Sequence, residues 1–253
     1  LAVKPAALAG AAPLLALWLN SPGIAAWISR TFAARRDDLD ADDRAYLRQI
    51  ARRTWYFFEV FAGPEDNWLP PDNYQFDPRP EIAHRTSPTN IGMLMLSTLS
   101  ARDLGYLGLR DLAVRGRTVL DTMDRMERHR GHWLNWYDTQ SLRPLEPRYV
   151  STVDSGNLAV SLVTLAEGWR EFVEGAIFPK ALWSGLLDAL GLLSDAISAH
   201  PGPADDCLRA QKDRIVSRVA ELAAASWPSS LALNALRDGE LAALKPLLLQ
   251  WLE

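Results

Sequence analysis

The residues of this chain best suited to chemistry are its aromatic rings set among amides and carboxylates. Trp68, Trp133, Trp136 and Tyr137 stand in such company, as do Asp72, Asn73, Arg85, Asn90, Asn135, Asp138, Asp154 and Asn157. A flat apolar ring beside planar hydrogen-bonding groups suits a ligand with an apolar face and a rim of hydroxyls, which is the chemistry of a sugar. The chain has ten tryptophans in 253 residues, more than helical packing alone requires. Trp55 and Trp169 lie on amphipathic patterns and are read as core. The tryptophans beside Asn and Asp are not, because amides and carboxylates are poor core neighbours.

Four polar-aromatic clusters carry these residues: NWLPPDNYQ (67–75), AHRTSPTNIG (83–92), HWLNWYD (132–138) and VSTVDSGN (150–157). Each falls between helical patterns or at the start of one, where a rigid scaffold usually places binding residues. Several members also have plain local explanations. Asp154 can serve as a helix cap, Pro70-Pro71-Asp72-Asn73 as a turn, and His84-Arg85 as a structural ion-pair module. Asp138, Asp72 and Asp154 are the in-chain candidates for a catalytic carboxyl. Glu65, Glu81 and Glu146 each stand beside a proline at the edge of a cluster, where a turn or solvated loop is expected.

Composition narrows the classes. A net charge of −4, 48% hydrophobic residues and 23% charged residues exclude a disordered chain and give no electrostatic footprint for nucleic acid. The one cysteine, Cys207, excludes an internal disulfide framework, and no metal site is expected: His129 and His132 stand among Arg128 and Arg130. There is no G-x-S-x-G, P-loop or G-x-G-x-x-G.

The elements that must position the clusters are helices. Between Lys4 and Arg30 the chain carries no charge, and Asn20, Ser21 and Ser29 are the polar side chains of that stretch. Residues 1–30 are therefore read as the end of a transmembrane region, with Trp18 and Trp27 at an interface and Pro13 and Pro22 kinking or ending the helix. Arg30, Arg35 and Arg36 would place the rest of the chain on the cytoplasmic side. Residues 31–44 form a charged linker. A helix over 45–62, capped by Asp42 or Asp43, is stopped by Gly63-Pro64. Ser87-Pro88 opens another, with Ile91, Leu94, Met95, Thr98 and Leu99 as its buried face. Two more helices cover 109–128 and 155–174, with weaker ones over 178–199, 204–225 and 238–252. YVSTV (149–153) is the one short β-like run. The class is all-α.

The run from ARRTWYFFEVFAGPEDNWLPPDN through HRTSPTNIG, and on to NWYDT and VDSGNLA, resembles the cyclic β-1,2-glucan synthases, very large bacterial inner-membrane enzymes. The likeness is strong over 45–175. It implies that 45–253 is the N-terminal portion of a glycoside-hydrolase-like domain of the (α/α)6 toroid type, and that 1–30 ends the membrane region after the glycosyltransferase part. It implies UDP-glucose as donor for the full synthase, with no cofactor in this fragment, and linear and cyclic β-1,2-glucan as ligands. Its remaining partners would be the other domains of the synthase and the inner membrane. Cyclisation by such a domain is retaining transglycosylation, which sets two carboxyls about 5–5.5 Å apart. The glucan-binding residues would be Trp68, Asp72, Asn73, His84, Arg85, Asn90, Trp136, Tyr137, Asp138, Asp154 and Asn157. The fragment is expected to bind without turnover, its acid pair lying elsewhere. A non-catalytic docking or membrane-coupling module is the rival reading.

Overall fold

The computed structural model describes residues 5–29, 39–176, 178–199, 205–224 and 234–252, which fall into two compact units divided after Asp43. Over the first unit the charge-free stretch forms α1 (Pro5–Ile28). Its span Gly10–Ile28 is long and apolar enough to cross a membrane, and none of it is buried. The helix continues through both Pro13 and Pro22 instead of ending at either. A proline cannot donate to the carbonyl four residues back, so Pro22 leaves the Trp18 carbonyl without its helical partner. The Ser21 hydroxyl donates to that carbonyl at 2.7 Å. The basic flank Arg30, Arg35 and Arg36 lies outside the described residues.

The next helix, α2 (Ala41–Phe61), is capped two residues earlier than the nearer of the two expected caps, Asp42 and Asp43. The Asp40 carboxylate accepts from the Asp43 N–H at 2.7 Å, and Asp42 and Asp43 occupy the first turn, where a negative charge meets the positive end of the helix. Helix α3 (Pro88–Asp103) starts as its sequence demands: the Ser87 hydroxyl accepts from the Asn90 N–H and Pro88 sits in the first turn. Ile91, Leu94, Met95, Thr98 and Leu99 are all buried. Then come α4 (Leu109–Arg125) and α5 (Thr152–Glu174). The cap of α5 is Ser151, whose hydroxyl accepts from the Asp154 N–H. The 149–153 run is therefore the entry to a helix and not a strand.

Helices α3 and α5 run parallel and in close contact. A methyl group added at Gly92 would meet Ser161, and one added at Gly168 would meet Leu99, so N-terminal halves face each other and C-terminal halves likewise. Helix α4 returns antiparallel between them in the chain, with Gly116 against the Trp169 ring of α5. Their shared core contains Ile91, Met95, Val119, Met123, Leu158 and Leu165, with Trp169 packed against it. Trp55 is buried with Ala101 and Leu107, as a core tryptophan should be.

The chain continues into α6 (Ala181–Ala199), α7 (Asp205–Ala224), a π-helical turn (Leu236–Leu241) and α8 (Ala242–Leu252). These helices share a second core around Leu190, Ile197, Leu208, Ile215 and Val219. Helix α6 also has membrane-span length and hydropathy, but its buried Leu190 and Ile197 belong to the core it shares with α7. Its two aspartates meet α2: Arg48 pairs with Asp188 at 2.7 Å and Arg53 with Asp195 at 2.8 Å. Six two-residue strands form three antiparallel pairs in the connections: β1 (Tyr74–Gln75) with β2 (Glu81–Ile82), β3 (Arg85–Thr86) with β6 (Tyr137–Asp138), and β4 (Arg128–His129) with β5 (His132–Trp133). Runs this short give no alternation to read in a sequence.

Candidate binding site at the helix N-termini

The parallel arrangement brings the starts of α3 and α5 to one end of the bundle, and the connecting segments join there. Pairing of β3 with β6 sets Arg85 opposite Asp138 and Thr86 opposite Tyr137, which ties the second cluster to the third. The 67–75 segment folds back on the second cluster, with the Asp72 N–H donating to the Ala83 carbonyl at 3.2 Å and the Ala83 N–H to the Asn73 carbonyl at 3.0 Å. These contacts put Asp72 beside Arg85, whose Nε and Nη2 both donate to Asp72 Oδ2, at 3.1 and 2.8 Å. Asn73 donates to the same oxygen at 3.2 Å.

From Arg85 the network runs inward. Its guanidinium lies over the Trp136 ring, 5.2 Å from the centroid, a favourable stacking of cation on π-face. In the amide orientation that satisfies its neighbours, buried Asn135 accepts from Trp136 Nε1 at 2.7 Å and from the Tyr149 hydroxyl at 2.8 Å, and donates to Asp154 Oδ2 at 3.1 Å. The other Asp154 oxygen accepts from the Thr89 hydroxyl at 2.5 Å, and the Asn157 amide donates to Thr89 Oγ1 at 3.1 Å. One chain of hydrogen bonds and the Arg85–Trp136 stack thus links all four clusters.

A cleft of about 520 Å³ opens beside it, lined among others by Asn73, Gln75, Glu81, His84, Arg85 and Asp138. Its polar groups are held from behind. His84 Nδ1 lies 2.7 Å from a carboxylate oxygen of buried Asp66, and the Thr139 hydroxyl bonds to that same oxygen. His84 and Arg85 each pair with an aspartate of their own, Asp66 and Asp72. Burial alone would push the Asp138 carboxyl up. The Ser141 hydroxyl and N–H, the Gln140 N–H and the charge of His84 outweigh that burial and hold it below the ordinary carboxylate range.

Of the residues expected in the site, Asn73, His84, Arg85 and Asp138 line the cleft; Asp72 and Trp136 meet it through Arg85, and Trp68, Asn90, Tyr137, Asp154 and Asn157 stand apart from it. Tyr137 is fully buried, its hydroxyl accepting from the Leu134 N–H at 2.6 Å and donating to the Glu127 carbonyl at 2.7 Å, so its ring packs the core instead of facing a ligand. Trp68 packs against the core and under Arg115, in a separate recess with Glu59, Tyr106 and Asp111. Asp154 is not the cap of α5; it is the buttress between Thr89 and Asn135. Asn90 lies in the first turn of α3, its Nδ2 buried without a hydrogen-bond partner among the described residues. Trp133 lies outside the cleft lining, with Arg128 4.2 Å from its ring centroid and its Nε1 donating to the Met123 carbonyl.

Sequence reasoning missed Asp66 and Thr139. Asp66 sits in PEDNW, where it reads as a solvated turn acid, and Thr139 comes after Asp138 with no pattern around it. The missed signal is Asn67, which takes a left-handed backbone (φ 53°) and donates its amide to the Thr139 and Gln140 carbonyls at 2.8 and 2.9 Å. Asparagine tolerates that conformation better than most residues, and it locks the two loops together.

Comparison with known proteins gives the class: the chain is a relative of the cyclic β-1,2-glucan synthases. It is 41% identical over 239 residues, 92% of its length, to the cyclic β-(1,2)-glucan synthase NdvB of Rhizobium meliloti (strain 1021). It spans 8% of that protein's length. No family model matches the chain.

Proposed function

We propose that this chain is the part of a cyclic β-1,2-glucan synthase that joins its membrane region to the first portion of its cyclisation domain, and that the cleft beside Arg85 and Trp136 binds linear β-1,2-glucan. The observation that carries the reading is the joining of all four motif clusters at one end of a parallel helix pair, beside a cleft lined with guanidinium, imidazole, amide and carboxylate. A helix, its antiparallel return and a third helix parallel to the first also match the alternation of directions in stacked helix pairs. The exposed apolar helix α1 supports anchoring in the bacterial inner membrane, with the 44–253 unit on the cytoplasmic side. UDP-glucose would then serve the glycosyltransferase part of the synthase, and the other domains of that enzyme would be the partners of this one.

The same geometry favours binding over turnover. A retaining transglycosylase needs one carboxyl as nucleophile and another with a raised pKa as acid and base. Asp138 is shifted the wrong way for an acid, Asp72 is committed to Arg85 and Asp154 to Thr89 and Asn135. A carboxyl that burial does raise, Asp103, lies at the far end of α3, about 20 Å along the helix from Thr89. Incubation of the chain with linear β-1,2-glucan is expected to yield neither cyclic product nor shortened chains. Turnover that disappears in Asp138→Asn would overturn this assignment and make Asp138 the catalyst.

A further inference from the structure

The Asp66–His84 pair has the build of a hydrogen-bond device. Asp66 ends the 3-10 turn Pro64–Asp66, its side chain 8% exposed, while the His84 ring is 36% exposed and lines the cleft. The buried carboxylate faces Nδ1, so the exposed edge of the imidazole carries Nε2. Thr139 holds both members: its hydroxyl bonds Asp66 Oδ1 and its N–H donates to the His84 carbonyl at 3.0 Å. The Gln140 amide is a longer neighbour of Nδ1, at 3.4 Å. A carboxylate oxygen 2.7 Å from Nδ1 can only accept, so the proton between them is carried by Nδ1. The other charged groups lining the cleft are Glu81, Arg85 and Asp138.

We infer that Asp66 is a positioning residue that fixes His84 as the Nδ1–H tautomer, so that Nε2 is presented to the cleft as an acceptor for a ligand hydroxyl. The identity of the ligand rests on the glucan-binding reading; the tautomer does not. Neutral imidazole offers one donor and one acceptor, and which nitrogen accepts is set by the partner of the other. The cleft's Arg85 and Asn73 supply donors, so an acceptor at Nε2 lets it take a hydroxyl's proton as well as its lone pairs.

The test is long-range proton–nitrogen NMR on the full chain labelled with 15N-histidine, recorded above the titration of the imidazole, with His84→Gln assigning the resonance. Proton-bearing Nδ1 and bare Nε2 are expected, and the wild-type spectrum decides this without any variant. The Nε2–H tautomer would overturn the inference. Addition of linear β-1,2-glucan should then move the Nε2 resonance, and Asp66→Asn should abolish the tautomer preference and weaken binding by about tenfold, the scale of one charge-assisted hydrogen bond. If glucan binds calorimetrically but leaves Nε2 unmoved, the inference fails while the glucan reading stands. If glucan does not bind at all while the Nδ1–H tautomer is present, the glucan reading fails and the positioning role of Asp66 survives.

Discussion

The Thr89 hydroxyl donates to the Asp154 carboxylate at 2.5 Å, joining the first turns of two parallel helices 65 residues apart in the chain. Each helix has its own serine cap, Ser87 and Ser151, so neither residue is needed to start its helix. The bond instead sets how the two N-termini lie against each other, and through Asn135 it sets where Trp136 stands. Thr89→Val keeps the shape of the side chain and removes the donor. It is expected to cost about 1–2 kcal/mol, because a half-buried charged acceptor loses a partner. Chemical denaturation measures the loss, and a variant as stable as wild type would show that the pair is incidental.

Helix α6 offers an internal control on packing. Gly185 lies against the Gly105 backbone, so that an added Cβ would stand 2.1 Å from the Gly105 carbonyl oxygen, and Gly105 itself has φ +85°. Six residues on, Gly191 has open space around it. Gly185→Ala should destabilise by about 1–3 kcal/mol through overpacking. Gly191→Ala should stabilise by roughly 0.5–1 kcal/mol through helix propensity. Thermal melts of the two variants should move in opposite directions.

Asp138 gives a pH signature. Its folded-state pKa lies below its unfolded one, so its stabilising contribution is present above the ordinary carboxylate range and is lost as pH falls through the lowered folded value. Asp138→Asn should therefore melt below wild type at neutral pH, by about 0.5–1 kcal/mol for weakened bonds from Ser141 and Gln140. The gap should narrow in acid, below about pH 4. A gap that widens with acidification would mean that the carboxyl is not held in its ionised form.

The helices were largely legible because their signals are local. Ser87-Pro88 is a cap and a first-turn proline in consecutive positions, and Ile91, Leu94, Met95, Thr98 and Leu99 repeat at helical spacing on one buried face. Caps were less secure where several acids or hydroxyls stand together: Asp40 caps α2 in place of Asp42 or Asp43, and Ser151 caps α5 in place of Asp154. The site was legible as a set of clusters but not as an arrangement. Whether Trp68, Trp136 or Tyr137 faces a ligand depends on backbone direction and on partners far along the chain. The three have similar polar neighbours in sequence, yet Trp68 lies under Arg115, Tyr137 bonds the Glu127 carbonyl in the core, and Trp136 lies under Arg85, which lines the cleft. Asp66 was invisible for the converse reason: a buried carboxylate in a proline turn looks like any exposed one until His84 and Thr139 close over it.

Glucan binding by the Arg85–Trp136 platform is the central claim, and calorimetric titration of linear β-1,2-glucan into the full chain tests it most directly. Saturable binding is predicted for wild type. Trp136→Ala should lose about 1–3 kcal/mol, the scale of one ring and its stacking surface, and Arg85→Ala should fall similarly because it removes the cation that lies on that ring. Both variants should keep the wild-type circular dichroism. No binding by wild type, or unchanged affinity in two correctly folded variants, would contradict the assignment of this cleft.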